Sequence, residues 1–425
     1  MLQAPAALLA SLALAGVTRY TASLSSVARY YTDVEAVQPL SATALEVEPS
    51  LGLEHDERTS TLRVAYFPRL VAIAASPPPR FLNQASLSLA LRPDPTLRLT
   101  GSASGCYGTN DFRVQYALAC GAPVLAPGAV AGPQPIPLVS TIRYMSASGA
   151  LGFESRPAAR IAVSGTLSYL VQGGADAPTR ALLPLQRGPS FLAALEWAAG
   201  RNDALATSIS GSYYAFLREA LAPGANEPAT SAWISQVVEV WQHVVGRGGR
   251  LRLGLGLGVA GDANDLPRLV LRTASAVGEV GLQQAFGRRE DERPPPREVD
   301  TPGAAPGPWA MEIVLNAGAR VAPFVDFTSG LAYERADAFA GLGWPLDRDW
   351  RLDASFAAGV ALDGAQRGQA TATAQLSSTW TAARWVRLST GLNGLWQRAG
   401  ADVATSSVRQ VGFFLGATFT QVGQL

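Results

Sequence analysis

Lysine is absent from this 425-residue chain: its 34 basic residues are all arginine, set against 33 acidic ones for a net charge of +1. So even a balance offers no basic field for nucleic acid and no acidic field for a basic partner. Charge is scarce as well, at 16% of residues, where soluble domains average about 25%. Sparse charge often marks membrane-spanning helices, yet no apolar run here approaches the ~18–20 residues that such a helix needs. That combination leaves a β-barrel, whose lipid-facing residues alternate with polar lumen residues and never form a long apolar run. The arginine-only usage fits a GC-rich coding sequence, and it also supplies planar donors for carboxylates and phosphates.

What the sequence does contain is alternation with period two, as a strand with one face in an apolar medium requires. Leu251, Leu253, Leu255, Leu257 and Val259 alternate with Arg252, Gly254, Gly256, Gly258 and Ala260. A helix would scatter those leucines round its circumference and carry interior glycines, each costing about 1 kcal/mol. Ile161, Val163, Leu167 and Tyr169 alternate with Ala162, Ser164, Thr166 and Ser168. Leu352, Ala354, Phe356, Ala358, Val360 and Leu362 oppose Asp353 and Ser355, and residues 370–380 repeat the pattern against Thr371, Thr373, Gln375, Ser377 and Thr379.

The connections alternate too. Short polar links at 55–58, 92–95, 155–158, 200–203, 246–249, 320–323, 345–349 and 382–384 exchange with longer Pro- and Gly-rich stretches, among them 106–137, 172–189, 220–230 and 287–308. Short periplasmic turns and long external loops are how outer-membrane barrels are built. Residues 266–286 first read as one strand, which would put 287–308 on the periplasmic side. Dividing them at Thr273-Ala274-Ser275 restores the alternation. The expectation is then an all-β, closed antiparallel transmembrane barrel of about twenty strands (range 16–22), with both ends periplasmic and with 106–137 and 287–308 external. Trp350, Trp380 and Trp385 fall near periplasmic strand ends, and Trp309 and Trp396 near external ones, as interface girdles do.

Residues 1–17 form a signal-peptide-like segment or the lead-in to the first strand. Ala6 to Val17 reads AALLASLALAGV, and Ala13-Leu14-Ala15 suits cleavage before Gly16, although a positive charge ahead of the apolar core is missing. The barrel is expected over 18–421, with 422–425 a short tail.

The last strand puts Val411, Phe413, Leu415, Ala417 and Phe419 on one face. It resembles the C-terminal strand of Gram-negative outer-membrane β-barrels, which usually ends on an aromatic; here six residues follow Phe419. Strands that begin near Thr18 leave no room for a plug domain. Among large barrels without a plug, the chain is similar to porins and to barrels that export exopolysaccharide. The resemblance implies an outer-membrane conduit for polar solutes or for a polymer such as exopolysaccharide. The alternative is a scaffold that anchors a periplasmic partner of an envelope complex. An outer-membrane hydrolase ranks third, because such enzymes place a histidine near the external rim, and His55 and His243 lie by periplasmic turns. The expected partners are outer-membrane lipid, polysaccharide or small polar solutes, and an envelope-complex protein, with no nucleic acid. No catalytic residue, cofactor or metal is expected.

Strand parity nominates the lumen-lining charges: Glu46, Glu48, Arg63, Arg69, Arg98, Arg160, Glu196, Glu239, Arg252, Glu279, Glu312, Asp326, Asp353 and Arg387. Carboxylates spread over so many strands read as an ion-pair lining rather than an acid–base pair, and mixed signs argue against strong ion selectivity. Cys106 and Cys120, both placed in the longest loop, are candidates for a disulfide in the oxidising envelope. Asp262, Asn264 and Asp265 lack the spacing of a calcium loop and read as a solvated turn. Residues 106–137 are the expected segment to fold inward if the lumen is closed.

Overall fold

A computed structural model describes residues 16–33, 41–74, 78–110, 142–217, 230–246, 249–263, 270–286, 313–326, 329–347, 349–364, 367–398 and 407–424. The first strands are β1 (Val17–Asp33), β2 (Ser41–Asp56), β3 (Ser60–Tyr66), β4 (Arg69–Ile73), β5 (Arg80–Asp94) and β6 (Leu97–Asn110). After them come β7 (Ile142–Ala158), β8 (Ile161–Gly174), the short helix α1 (Ala177–Leu182), β9 (Leu185–Ala198) and β10 (Asp203–Leu217). Next are β11 (Ser231–Val245), β12 (Gly249–Ala263), β13 (Val270–Phe286), β14 (Ile313–Val325) and β15 (Ala332–Pro345). The last are β16 (Trp350–Ala361), β17 (Ala370–Ala383), β18 (Val386–Arg398) and β19 (Ser407–Gln424).

Each strand pairs antiparallel with its chain neighbours, and β1 pairs with both β2 and β19, so the sheet closes on itself without an edge. The segments β3 and β4 are two halves of one stave between β2 and β5. Phe67-Pro68 separates them, because proline has no N–H to give to the ladder. The wall therefore has 18 strands, inside the expected range and two short of twenty. The difference lies at 266–286. Thr273, Ala274 and Ser275 are not a turn but pair with Ala260, Val259 and Gly258 inside β13. Small residues resemble a turn in sequence, yet here their backbone is committed to the ladder. Arg320 to Pro323, read as a short link, is likewise internal to β14.

This changes the topology of one connection. Arg250, beside the short β11–β12 turn, pairs with Gln283, and Phe286 pairs with Ile313. The end of β13 at Phe286 and the start of β14 at Ile313 thus stand at the short-turn rim, not at the loop rim; residues 287–312, which include the stretch 287–308 expected to be external, lie outside the described residues.

The outer surface carries Leu255 at 76% and Leu257 at 73% exposure, among many exposed Leu, Phe and Val. In water such a belt would be an aggregation surface; in a bilayer it is the lipid contact. Trp350, Trp380 and Trp385 stand on this exterior near the short turns, at the depth of an aromatic girdle. Among the described residues no helix is long and apolar enough to cross a membrane, and the strands do the crossing. The protein is an outer-membrane barrel.

Candidate functional site: the barrel lumen

Paired residues on neighbouring strands share a face, so the register assigns each side chain to lipid or lumen. On the β1–β5 side the inner face carries three arginine–carboxylate contacts. Arg29 Nε lies 3.0 Å from Glu46 Oε1, Arg69 Nε donates to Glu48 Oε2 at 2.9 Å, and Arg63 Nη2 donates to Glu54 Oε1 at 2.8 Å. Arg29 also sits over the Phe414 ring at 5.6 Å. On the far side, Arg252 Nε donates to Glu279 Oε1 at 2.8 Å, Arg335 Nε lies 2.8 Å from Asp337 Oδ1, and Arg351 Nη2 lies 2.7 Å from Asp353 Oδ1. Each arginine is held beside a carboxylate, so neither ridge presents an uninterrupted field of one sign.

Between these ridges the inner wall from β5 to β10 has another character. One register row runs Ser88–Ser102–Ala150–Ser168–Ser190–Ser212, and the next towards the short turns runs Ala90–Thr100–Gly152–Thr166–Leu192–Ser210. Hydroxyl pairs brace it: Ser168 and Ser190 at 2.5 Å, and Ser104 and Ser148 at 2.7 Å. Ionised inner residues stand at its two ends: Arg80 at the loop rim, in register with Val71, and, towards the short turns, Arg98 paired with Glu154 and Glu196 with Ala162.

The lumen is narrowed by the β14–β15 hairpin. Above Gly278 the β13–β14 ladder stops, although β13 continues with β12 to Val270 and β14 with β15 to Val325. Freed from β13, the hairpin leans inward across the barrel. Val325 and Ala332 bury against Phe216, Ala232 and Ala260, inner-face residues of β10, β11 and β12. Ala322 buries against Val238, Val240 and Val277. Burying a valine contributes roughly 1.5–3 kcal/mol, so these contacts hold the hairpin in place. Polar ties fix its direction: the Ala332 N–H donates to Asp262 Oδ2 at 3.0 Å, Arg320 Nη2 donates to Gln236 Oε1 at 2.8 Å, and Tyr333 Oη donates to Gln369 Oε1 at 3.3 Å. Two glycines permit the fold. A Cβ on Gly258 would stand 2.6 Å from the Pro323 ring, and Gly330 turns the tip at φ 74° while its N–H donates to Asp326 O at 2.7 Å.

Most sequence-nominated charges sit where these contacts place them; five need comment. Glu239 is corrected: it pairs with Leu255 on the lipid side and accepts a hydrogen bond from Thr207 there. Strand parity misassigned it because inner β11 is itself apolar, with Val238 and Val240 buried under the hairpin. Arg160 lies in the β7–β8 turn. Asp326 is at the hairpin tip, 1% exposed, with the Ser329 hydroxyl donating to it at 2.8 Å. Arg387 pairs with Thr418 on the inner face near the short turns, and Glu312 falls outside the described residues. Cys106 is also corrected: it lies in β6 on the inner face, paired with Gln84 and Ser146, rather than in a loop. It is disulfide-bonded; Cys120 and residues 111–141 lie outside the described residues. Asp262 is not a solvated turn residue but is 1% exposed under the hairpin; Asn264 and Asp265 are outside the description. Among the described residues no group of acidic, histidine or cysteine side chains could hold a metal ion.

His55 is packed between Thr18 (2.8 Å) and Glu57 (3.3 Å). His243 Nδ1 meets Asp203 Oδ1 at 2.8 Å and stacks on Trp241, which also donates to Asp203 at 3.0 Å. That cluster has the lipid-side parity of Glu239. The hairpin contacts were not read from sequence, although a signal existed. Phe324, Tyr333 and Arg335 put bulk on the inner parity of a wall that is elsewhere small-residued.

Residues 9–425 match the model of one known family, the EpsX exopolysaccharide export family. The chain belongs to that family. EpsX-family membership places it among export barrels. Solved structures with similarity include OpdQ of Pseudomonas aeruginosa (8% identity, TM-score 0.48, 95% of this chain and 98% of that one). The FrpB iron transporter of Neisseria meningitidis shows 8% identity and a TM-score of 0.48 over 96% and 82% of the two chains. For OccAB2 of Acinetobacter baumannii the values are 6%, 0.47, 94% and 98%. The comparison with curated proteins found no match.

Proposed function

We propose that this EpsX-family barrel is a passive conduit through which exopolysaccharide crosses the outer membrane, and that it is not an enzyme. The observation that carries the reading is the middle of the inner wall from β5 to β10, where two neighbouring register rows carry Ser88, Ser102, Ser168, Ser190, Ser212, Thr100, Thr166 and Ser210 inside a closed barrel. A scaffold has no need of such a wall. The hairpin packs on the inner face of β10 to β12, touching this wall at Phe216, and the serine and threonine rows lie away from that contact.

The test separates conduit from scaffold. Ser102→Trp with Ser190→Trp fills the hydroxyl side without touching the exterior. Surface polysaccharide should fall to the level of cells lacking the protein, while the barrel still folds, read from heat-modifiable gel migration. Full export through the folded, filled barrel would favour the scaffold.

A further inference from the structure

We infer that the β5–β10 wall is a track for an uncharged glycan, contacting sugar hydroxyl and amide groups rather than carboxylates, sulfates or phosphates. The inference rests on the conduit reading and names the substrate class of that same lumen.

Three observations carry it. First, the row containing Ser88, Ser102, Ser168, Ser190 and Ser212 brings five hydroxyls into one band across six strands. In the Ser168–Ser190 contact at 2.5 Å one hydroxyl donates to the other, whose own O–H stays available to a ligand oxygen. A repeating series of neutral donors and acceptors suits a chain of neutral sugar hydroxyls, and it lets the chain slide because no single contact is strong.

Second, the row nearer the loop rim runs Gln84–Cys106–Ser146–Gln172–Gln186–Phe216. Gln84 is 4% and Gln186 1% exposed, both on the lumen parity. The side-chain amide nitrogens of both have no hydrogen-bond partner, although Gln186 accepts from Gln172 at 3.2 Å. A buried amide N–H without a partner is costly, and a carbonyl or hydroxyl oxygen of a glycan would relieve it once the groups that cover these nitrogens give way.

Third, the arginines of the two ridges are engaged, and this wall's own Arg80 and Arg98 stand at its two ends rather than in the serine row. Arg29, Arg63, Arg69, Arg252, Arg335 and Arg351 all lie within ion-pair distance of carboxylates, on the two ridges rather than in this band. An anionic polymer would have to displace those carboxylates or pass beside them.

The purified barrel in a planar bilayer, intact and with residues 323–334 replaced by a short turn, is exposed to neutral gluco-oligosaccharides and to uronic-acid oligosaccharides of matched length. Neutral oligomers should interrupt the current in at least one of the two barrels, and uronate oligomers far less often. Gln84→Leu with Gln186→Leu should weaken the neutral interaction about fivefold for each net hydrogen bond of about 1 kcal/mol lost. Equal or stronger response to uronates, or no change in the glutamine variant, overturns the neutral-glycan inference while leaving the conduit intact. Both barrels silent would overturn the conduit, and this inference with it.

Discussion

The walls from β5 to β10 and from β11 to β16 have the same backbone architecture and opposite interiors. One presents rows of serine and threonine with ionised groups kept to its two ends. The other buries Val238, Val240, Val277 and Asp262 beneath an infolded hairpin and carries Arg252–Glu279, Arg335–Asp337 and Arg351–Asp353. Their difference follows from one local event, the end of the β13–β14 ladder at Gly278. Where the ladder holds across β5 to β10, the middle inner rows are mostly serine, threonine, alanine and glycine. Where it stops, a strand pair enters the lumen and the wall behind it becomes a core. An outer-membrane barrel can thus narrow its bore with a piece of its own wall.

The strongest way to break this contrast is to remove the hairpin. Replacing residues 323–334 with a short turn should raise single-channel conductance several-fold, since the lumen of a barrel this wide is otherwise water-filled. An unchanged conductance would mean that the hairpin is not the constriction. A milder perturbation is Gly258→Leu, which drives a side chain into the space of the Pro323 ring. Overpacking of this kind costs about 1–3 kcal/mol, and it should appear as faster protease cleavage at the hairpin while the barrel remains folded.

On the ion-paired side near β2, Glu46→Gln with Glu48→Gln leaves Arg29 and Arg69 uncompensated. Reversal potentials should shift towards anion preference; in the hydroxyl half, Ser164→Ala should leave them where they are. The smallest effect belongs to α1, between β8 and β9. Hydrogen bonds from the Thr179 hydroxyl, and next from its backbone N–H, hold the Asp176 carboxyl below the usual range. A depressed folded value stabilises the cap above the unfolded pKa of about 3.9, and the contribution disappears as pH falls through the lowered value. The protection of α1 amides, relative to their intrinsic exchange rates at each pH, should therefore be steady from neutral pH to pH ~5 and fall only in stronger acid.

Much of the fold was legible because a barrel wall obeys one rule, the alternation of faces. The leucines of β12 and the small polar partners of β8 stand as parity placed them. Sequence failed where tertiary contacts override that rule. Thr273-Ala274-Ser275 has the composition of a turn and the hydrogen bonds of a strand. Its misreading also put the end of β13 at the wrong rim. Glu239 looked like a lumen charge because a carboxylate in lipid is costly, and the Thr207 hydroxyl that partners it comes from another strand. The two ridges of ion pairs needed only register, whereas the hairpin's inward lean needed the non-neighbour contacts of Val325 and Ala332.

The central claim is that one half of the lumen is open and the other covered by the β14–β15 hairpin. Thiol access in the folded barrel tests it directly, because native Cys106 is disulfide-bonded and does not compete. A cysteine replacing Ser164, on inner β8, should react at once with a small water-soluble reagent. One replacing Val277, which is 0% exposed behind the hairpin, should be protected and become reactive when residues 323–334 are removed. Equal reactivity at both positions in the intact barrel would contradict the account.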